Sequence, residues 1–180
     1  DEINRLTSVN YPIGDTVSIV YTSTTKTATR GTLAETTTYN GYGHITKVVR
    51  DGITVDYVVD ALGRRESQTN PNEATDKTEF DYDTLDRVTK VTHPGGATRT
   101  TVYSGNVDTI TDERSNATAY TYRSYGEPGA RYLMKIEPPQ SLQTTTITRN
   151  DRDLVIGIEQ GNKSRSFGYL ANFYLQTITD

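Results

Sequence analysis

Residues 45–59 read ITKVVRDGITVDYVV, and the reading of this stretch decides the fold. Two runs rich in Val and Ile flank Asp51-Gly52. An Asp-Gly step between β-branched runs supplies the positive backbone angles that a two-residue hairpin turn demands, so the stretch reads strand, turn, strand. The same logic holds at residues 87–103. In RVTKVTHP, Val88, Lys90 and Thr92 fall on one face and Thr89 and Val91 on the other; Pro94-Gly95-Gly96 then marks a turn, and ATRTTVY runs back.

Working outward, further strands are predicted over 16–22 (TVSIVYT), up to Tyr39, and over 77–82, 107–113, 117–122, 132–137, 144–150, 154–160, 164–170 and 174–179. No window combines helical periodicity with caps, so helix is limited to a single turn around Pro138, Pro139 and Gln140. Composition agrees. The 180 residues include 32 Thr and 13 Tyr against one Met and no Trp, and Thr and Tyr favour pleated, half-solvated surfaces. Hydrophobic content is 33%, which predicts a thin core shared between neighbouring units.

Strand ends carrying an aromatic or apolar residue before a turn fall at Tyr39-Asn40, Val59-Asp60, Tyr82-Asp83, Tyr103-Ser104, Tyr122-Arg123, Arg149-Asn150 and Tyr169-Leu170. By subtraction the spacings are 20, 23, 21, 19, 27 and 20, a repeat of about 21 residues, enough for two strands and two turns. An isolated hairpin is marginal in water, so stacking of units must supply the rest. A strand-end Tyr buries its ring on the next hairpin and keeps its hydroxyl wet. The Asp or Asn after it accepts a hydrogen bond from the backbone two residues on, and the later Gly takes the left-handed conformation that closes the turn.

The best copies are VDALGRRES, with Asp60, Leu62, Gly63 and Arg64, and YDTLDRVTKV, with Tyr82, Asp83, Leu85 and Arg87. These resemble the YD repeats of the Rhs family, over a span from about Thr36 to Asp180. VTHPGGATRTTVYS and TDERSNATAYTYRSYGEP resemble the continuation of that motif. Departures are the Gly positions occupied by Asp86 and Asp153 and the Tyr positions occupied by Val59 and Arg149. The resemblance implies an all-β antiparallel meander of hairpin repeats forming a curved sheet, a strip of a β-shell or solenoid. Residues 1–35 are then degenerate N-terminal strands and 36–180 the repeats. It also implies a structural role in a shell that encloses a toxin or other cargo domain, in bacterial polymorphic toxins, toxin complexes or teneurin-like proteins. The partners would be the remainder of the shell and that cargo, the protein would be secreted or displayed at the cell surface, and the segment would have no catalysis of its own. No Asp-Pro step of the family's self-cleaving kind is present. The chain opens on Asp1 without a signal segment, and we read it as a piece of a larger chain.

Net charge is −4, with Lys and Arg scattered singly, which argues against a phosphate-tracking surface and so against nucleic acid. No run approaches the roughly 18 apolar residues of a membrane span. Cys is absent, removing disulfides and thiolate chemistry. His44 and His93 lie beside no second ligand at a metal spacing. Asp81, Asp83 and Asp86, or Asn70, Asn72 and Asp76, offer oxygens for calcium but not the calcium loop of about 12 residues with its Gly and Glu. NGYGHI lacks the Lys and helix of a phosphate loop. No cofactor is implied. Tyr42, Tyr120, Tyr125 and Tyr132 lie outside the repeat's own Tyr set and are candidate glycan contacts, the alternative being cross-strand packing. A carbohydrate-binding or adhesion module is accordingly the second functional reading. Unpaired terminal strands near TVSIVYT and YLQTIT predict self-association through sheet edges.

Overall fold

The computed structural model of the chain describes residues 3–126, 130–139 and 142–180. Every regular element among them is a β-strand, and none is a helix long and apolar enough to cross a membrane. Gln140 of the expected helical turn lies outside the described residues; Pro138 and Pro139 follow a strand, and the Leu142 N–H donates to the Pro139 carbonyl at 3.0 Å.

The strands form two compact units, Asp1–Ala97 and Thr98–Asp180. The first holds β1 (Ser8–Val9), β2 (Val17–Tyr21), β3 (Thr25–Arg30), β4 (Leu33–Tyr39), β5 (Ile45–Arg50), β6 (Ile53–Val59), β7 (Arg65–Asn70), β8 (Glu73–Tyr82) and β9 (Val88–Thr92). Each pairs antiparallel with the next. The second holds β10 (Thr98–Ser104), β11 (Val107–Thr111), β12 (Ala117–Ser124), β13 (Arg131–Glu137), β14 (Thr145–Arg149), β15 (Val155–Gln160), β16 (Lys163–Tyr169) and β17 (Leu175–Thr179), paired in the same way. The fold is therefore the all-β antiparallel meander of hairpins.

Three strands, β1, β3 and β7, lie outside the segments predicted from sequence. β3 (TKTATR) and β7 (RESQTN) are almost wholly polar, and their extended state is fixed by neighbours on both sides rather than by their own pattern. TVSIVYT is not an unpaired edge: Ser8 and Val9 of β1 pair with Ser18 and Val17, and the Ile19 N–H reaches the Thr7 carbonyl at 2.7 Å. A two-residue partner is too short to show in sequence. Within its own unit β17 pairs with β16.

Hairpins close in two ways. Tight two-residue turns join Arg30 to Leu33, Arg50 to Ile53, Asn70 to Glu73, Ser104 to Val107 and Gln160 to Lys163. At the second of these Asp51 and Gly52 have φ of 48° and 80°, the doubly left-handed geometry of a type I′ turn. Wide loops place three residues between a first and a fifth that share a backbone hydrogen bond: Asn40 with His44, Asp60 with Arg64, Asp83 with Arg87, His93 with Ala97, Asp112 with Asn116, Asn150 with Leu154 and Leu170 with Tyr174. The fourth residue of each is left-handed: Gly43, Gly63, Asp86, Gly96, Ser115, Asp153 and Phe173. This is a type I turn closed by a bulge residue.

That geometry explains the repeat. The pairing register slips by one residue just before Tyr39, Val59, Tyr82, Arg149 and Tyr169, so each of these positions is the strand residue at a bulge. The spacing of 23 between Val59 and Tyr82 has a local cause. Thr69 pairs with Lys77 while Asn70 pairs with Glu73, leaving Ala74, Thr75 and Asp76 as three extra residues. Tyr103 and Tyr122 depart from the scheme. Tyr103 pairs with Asp108 in a hairpin closed by Gly105-Asn106; Tyr122 sits inside β12 opposite Leu133. Neither precedes a wide loop, because two wide loops in succession, at Asp83 and His93, shift the alternation of turn types.

Neither unit has a second layer, and cross-strand register sorts each sheet into two chemically distinct faces. In the first, Tyr21, Lys26, Thr37, Val48 and Val55 lie in one row, on a face that also carries Val17, Ile19, Tyr57, Phe80 and Val91. The opposite face carries Thr25, Thr27, Thr29, Thr36, Thr38 and Thr54, with the Thr27 and Thr36 hydroxyls bonded at 3.0 Å. In the second, Ile110, Tyr120, Ile136, Ile147, Ile158, Phe167 and Ile178 share one face and Thr121, Lys135, Thr146, Glu159 and Ser164 the other. No apolar side chain is buried among the described residues; the buried ones are Thr37, Ser67 and Asp108. The thin core expected from composition is thus absent within the units, since a single sheet has nothing packed on either face.

Candidate functional site

Many of the candidates lie on or beside the wide loops, five of which are organised by the side chain of their first residue. The Asp60 Oδ1 accepts the Leu62 and Arg64 N–H groups, each at 2.9 Å, and its Oδ2 takes the Arg64 Nε at 2.7 Å. Asp83 repeats this with Leu85 at 2.9 Å, Arg87 at 3.0 Å and the Arg87 Nε at 2.7 Å. Asp112 holds the Arg114 and Asn116 N–H groups at 2.9 and 2.8 Å and the Asn116 amide at 3.0 Å. Asn40 and Asn150 accept the same two backbone N–H groups. Five of the seven wide loops thus carry a side-chain acceptor at the first position, and Asp adds a charged contact to the fifth residue; Leu170 opens a loop of the same backbone form without an acceptor.

Partial burial pushes the Asp60 carboxyl up, but the Arg64 side-chain hydrogen bond, the two backbone N–H groups and the Arg64 charge outweigh it and hold Asp60 below the ordinary carboxylate range. Asp83 is lowered in the same balance, by the Arg87 backbone and side chain and the Leu85 N–H. Asp112 is lowered chiefly by the Asn116 side chain and backbone N–H.

Adjacent loops are tied together by Arg. The Arg64 Nη1 crosses to Asp86 at 2.7 Å and to the Asp83 carbonyl at 3.4 Å, and its guanidinium lies 4.6 Å from the centre of the Tyr82 ring. The Tyr82 hydroxyl donates back to the Arg65 carbonyl at 2.8 Å. On the other side of the 60–64 loop, His44 packs against Gly63 so closely that a Cβ there would fall 2.6 Å from its ring. In the second unit Arg131 grips buried Asp108 with two bonds of 2.8 and 3.0 Å and lies 3.9 Å from the centre of the Tyr122 ring. Burial, reinforced by the Asp108 charge, raises the Tyr122 phenol. Arg123 pairs with Asp153 and Arg149 holds the Asp153 carbonyl at 2.7 Å, while the Tyr169 hydroxyl reaches the Val155 carbonyl at 2.8 Å. At least eight guanidinium–aromatic stacks lie among the described residues, against roughly one per 70–80 residues in ordinary proteins. The clamp between repeats is therefore Arg against Tyr and Asp at the loop edge, rather than a Tyr buried in a core. The guanidinium contacts lie outside the expectations from sequence; of the Arg residues in these eight stacks only Arg64 occupies a fifth loop position.

The remaining candidates are placed as follows. Tyr39 is half-buried at its bulge, with its N–H on the Thr24 carbonyl at 2.8 Å. Gly95 and Gly96 both have positive φ. Tyr42 is 90% exposed and belongs to the first unit. Tyr120, Tyr125 and Tyr132 belong to the second. Tyr125 and Tyr132 meet edge to face at 6.3 Å, and the Tyr125 hydroxyl lies 3.4 Å from Asp153; Tyr120 instead pairs with Asp108 and Ile136. Tyr125 is thus part of a contact network rather than free of the clamp. The calcium candidates are engaged otherwise: Asp83 with Arg87, Asp86 with Arg64, and Asn72 with the Thr54 N–H at 2.8 Å. No group of three His, Cys, Asp or Glu side chains suited to a metal ion occurs among the described residues.

No curated protein matches the chain. A solved structure described as "Crystal Structure of TcdB2-TccC3-Cdc42" is similar, at 12% sequence identity and a TM-score of 0.47 over 90% of this chain. The chain spans about 12% of that protein's length. The RHS Repeat family matches residues 59–98, the segment from the bulge at Val59 through the loops at Asp60, Asp83 and His93. The match falls on the segment in which VDALGRRES and YDTLDRVTKV resemble the repeats of that family.

Proposed function

We propose that this chain is a wall segment of an exported β-shell that encloses or scaffolds another domain, without catalysis of its own. The observation that carries the reading is the pairing of an apolar face with the absence of any buried apolar side chain among the described residues. Val48, Val55, Tyr57, Phe80 and Val91 form a face that water alone does not stabilise; burial of such side chains is worth roughly 1.5–3 kcal/mol each. Something outside each unit covers it, and the RHS repeat at 59–98 makes the remainder of a shell and its cargo the natural candidates. The Thr-rich opposite face suits contact with solvent.

The test compares this segment alone with the full-length protein. Alone, it binds a hydrophobic-surface dye and associates through exposed sheet edges; within the whole protein the dye signal disappears and the strands resist protease. A segment that is monomeric at high concentration and binds no dye contradicts the reading.

A second reading, a carbohydrate-binding module, rests on the Tyr125–Tyr132 pair, because Tyr125 is 63% exposed beside the guanidinium of Arg123, and that of Arg149 lies over the Tyr132 ring. Calorimetry against a sugar panel, with loss of the signal in Tyr125→Ala, supports it, and a flat titration removes it.

A further inference from the structure

Asn40 opens the 40–44 loop and is the only Asn in the chain followed by Gly. Its Oδ1 is held by two backbone donors, the N–H groups of Tyr42 and His44, both at 3.0 Å. Three other wide loops carry Asp at this position, and in all three the second carboxylate oxygen engages the fifth residue: Asp60 with Arg64, Asp83 with Arg87 and Asp112 with Asn116. In the 40–44 loop the fifth residue is His44. A carboxylate at position 40 would reproduce the Asp loop with an ionisable imidazole in the place of the guanidinium.

We propose that Asn40-Gly41 is a self-modifying site: Asn40 deamidates spontaneously in the folded chain, and the Asp so formed pairs with His44. The backbone nitrogen of Gly41 attacks Asn40 Cγ and gives up its proton to water as the new C–N bond forms. The Cγ–Nδ2 bond breaks, and the amide leaves as ammonia with a proton from solvent. Water then opens the cyclic imide, returning an aspartyl residue; the net change is amide plus water to carboxylate plus ammonium. Two features of the loop favour this. The N–H pair on Oδ1 sits where negative charge develops in the tetrahedral intermediate. Gly41 has no side chain to obstruct its nitrogen, and a Cβ built there meets nothing within 4 Å. Hydrolysis at the Cγ carbonyl breaks the Cγ–N bond and restores the loop seen at Asp60 and Asp83; hydrolysis at the backbone carbonyl leaves the chain running through Cγ, which inserts a methylene into the backbone and detaches the two donors.

Asn150 is an internal control. It begins a loop of the same kind, with its Oδ1 on the Arg152 and Leu154 N–H groups at 3.0 and 3.1 Å, but Asp151 follows it. The experiment is peptide mapping by mass spectrometry of the folded chain, aged in mildly alkaline buffer at physiological temperature, beside Gly41→Ala. The expected result is loss of the amide at Asn40 while Asn150 keeps its own, with the loss suppressed in Gly41→Ala. Retention of the Asn40 amide, or equal loss at both sites, overturns the proposal. Asn40→Asp tests the second half. A carboxylate paired with the His44 ring couples the two side chains, so the change in melting temperature on Asn40→Asp differs between the parent chain and a His44→Ala background. An effect of Asn40→Asp that is the same in both backgrounds shows that no such pair forms.

Discussion

The guanidinium of Arg64 sits 4.6 Å from the centre of the Tyr82 ring; Arg64 closes one wide loop and Tyr82 is the strand residue just before the next. Arg64 is fixed from its own side by Asp60 and reaches across to Asp86, so one side chain joins two repeats. A planar, permanently charged fork can stack and hydrogen-bond at once, which a Lys cannot. In a sheet with no buried apolar side chain among its described residues, such edge contacts take over part of the role a core plays elsewhere.

Gly63 and Gly43 occupy the same loop position, with φ of 81° and 84°. An added Cβ at Gly43 meets nothing, whereas at Gly63 it meets the His44 ring at 2.6 Å. Gly43→Ala therefore costs only the left-handed strain of about 1–2 kcal/mol. Gly63→Ala costs more, and His44→Ala in the same chain recovers part of the excess. Urea unfolding of the three variants decides; equal costs at the two glycines would show that the loops do not stack as described.

Gly52→Val isolates backbone conformation, since nothing lies within 4 Å of a Cβ there while φ is 80°. A β-branched residue in that region is strained, so the loss exceeds the roughly 0.4–1 kcal/mol typical of glycine substitutions at compatible sites. An unchanged denaturation midpoint would mean the turn is not type I′.

Acid titration reads the loop carboxylates. Asp60, Asp83 and Asp112 are all held below their ordinary value of 3.8. A depressed folded-state pKa contributes stability that is present above the unfolded value and is lost as pH falls through the folded one. The chain is accordingly predicted to hold its stability through mild acid and lose it below about pH 4, the unfolded Asp value. Asp60→Asn retains the backbone acceptor and shows a shallower acid limb; an identical limb would show that the Asp60–Arg64 pair contributes nothing.

Tyr82 is half-buried, so the scale of core aromatic truncations does not apply. Tyr82→Ala removes a guanidinium stack and the hydroxyl bond to the Arg65 carbonyl, for a cost of about 1–2 kcal/mol. Tyr42→Ala, at 90% exposure, stays within about 0.5 kcal/mol. If thermal unfolding ranks the two alike, Tyr82 is not part of a clamp.

Much of this architecture is legible in the sequence because its punctuation is chemical. Asp51-Gly52 announces its turn, and Asp60 and Asp83 announce loops through a side chain that bonds two residues on. What was hidden depends on partners distant along the chain. β3 and β7 carry too little hydrophobic pattern to read alone. Tyr103-Ser104 resembles the strand end before a wide loop yet meets a tight turn, since nothing local reports the phase set by the loops at Asp83 and His93. The Arg64–Asp86 contact spans 22 residues, and only the pairing of β6 through β9 brings its ends together.

The most direct test of the account is a double-mutant cycle between Arg64→Ala and Tyr82→Ala, read by denaturant unfolding. The ties of Arg64 to Asp60 and Asp86 are lost equally with and without Tyr82, so the coupling term isolates the stack between repeats. The account predicts that the double variant is less destabilised than the sum of the singles, by about 0.5–1 kcal/mol. Additivity within about 0.3 kcal/mol would contradict it.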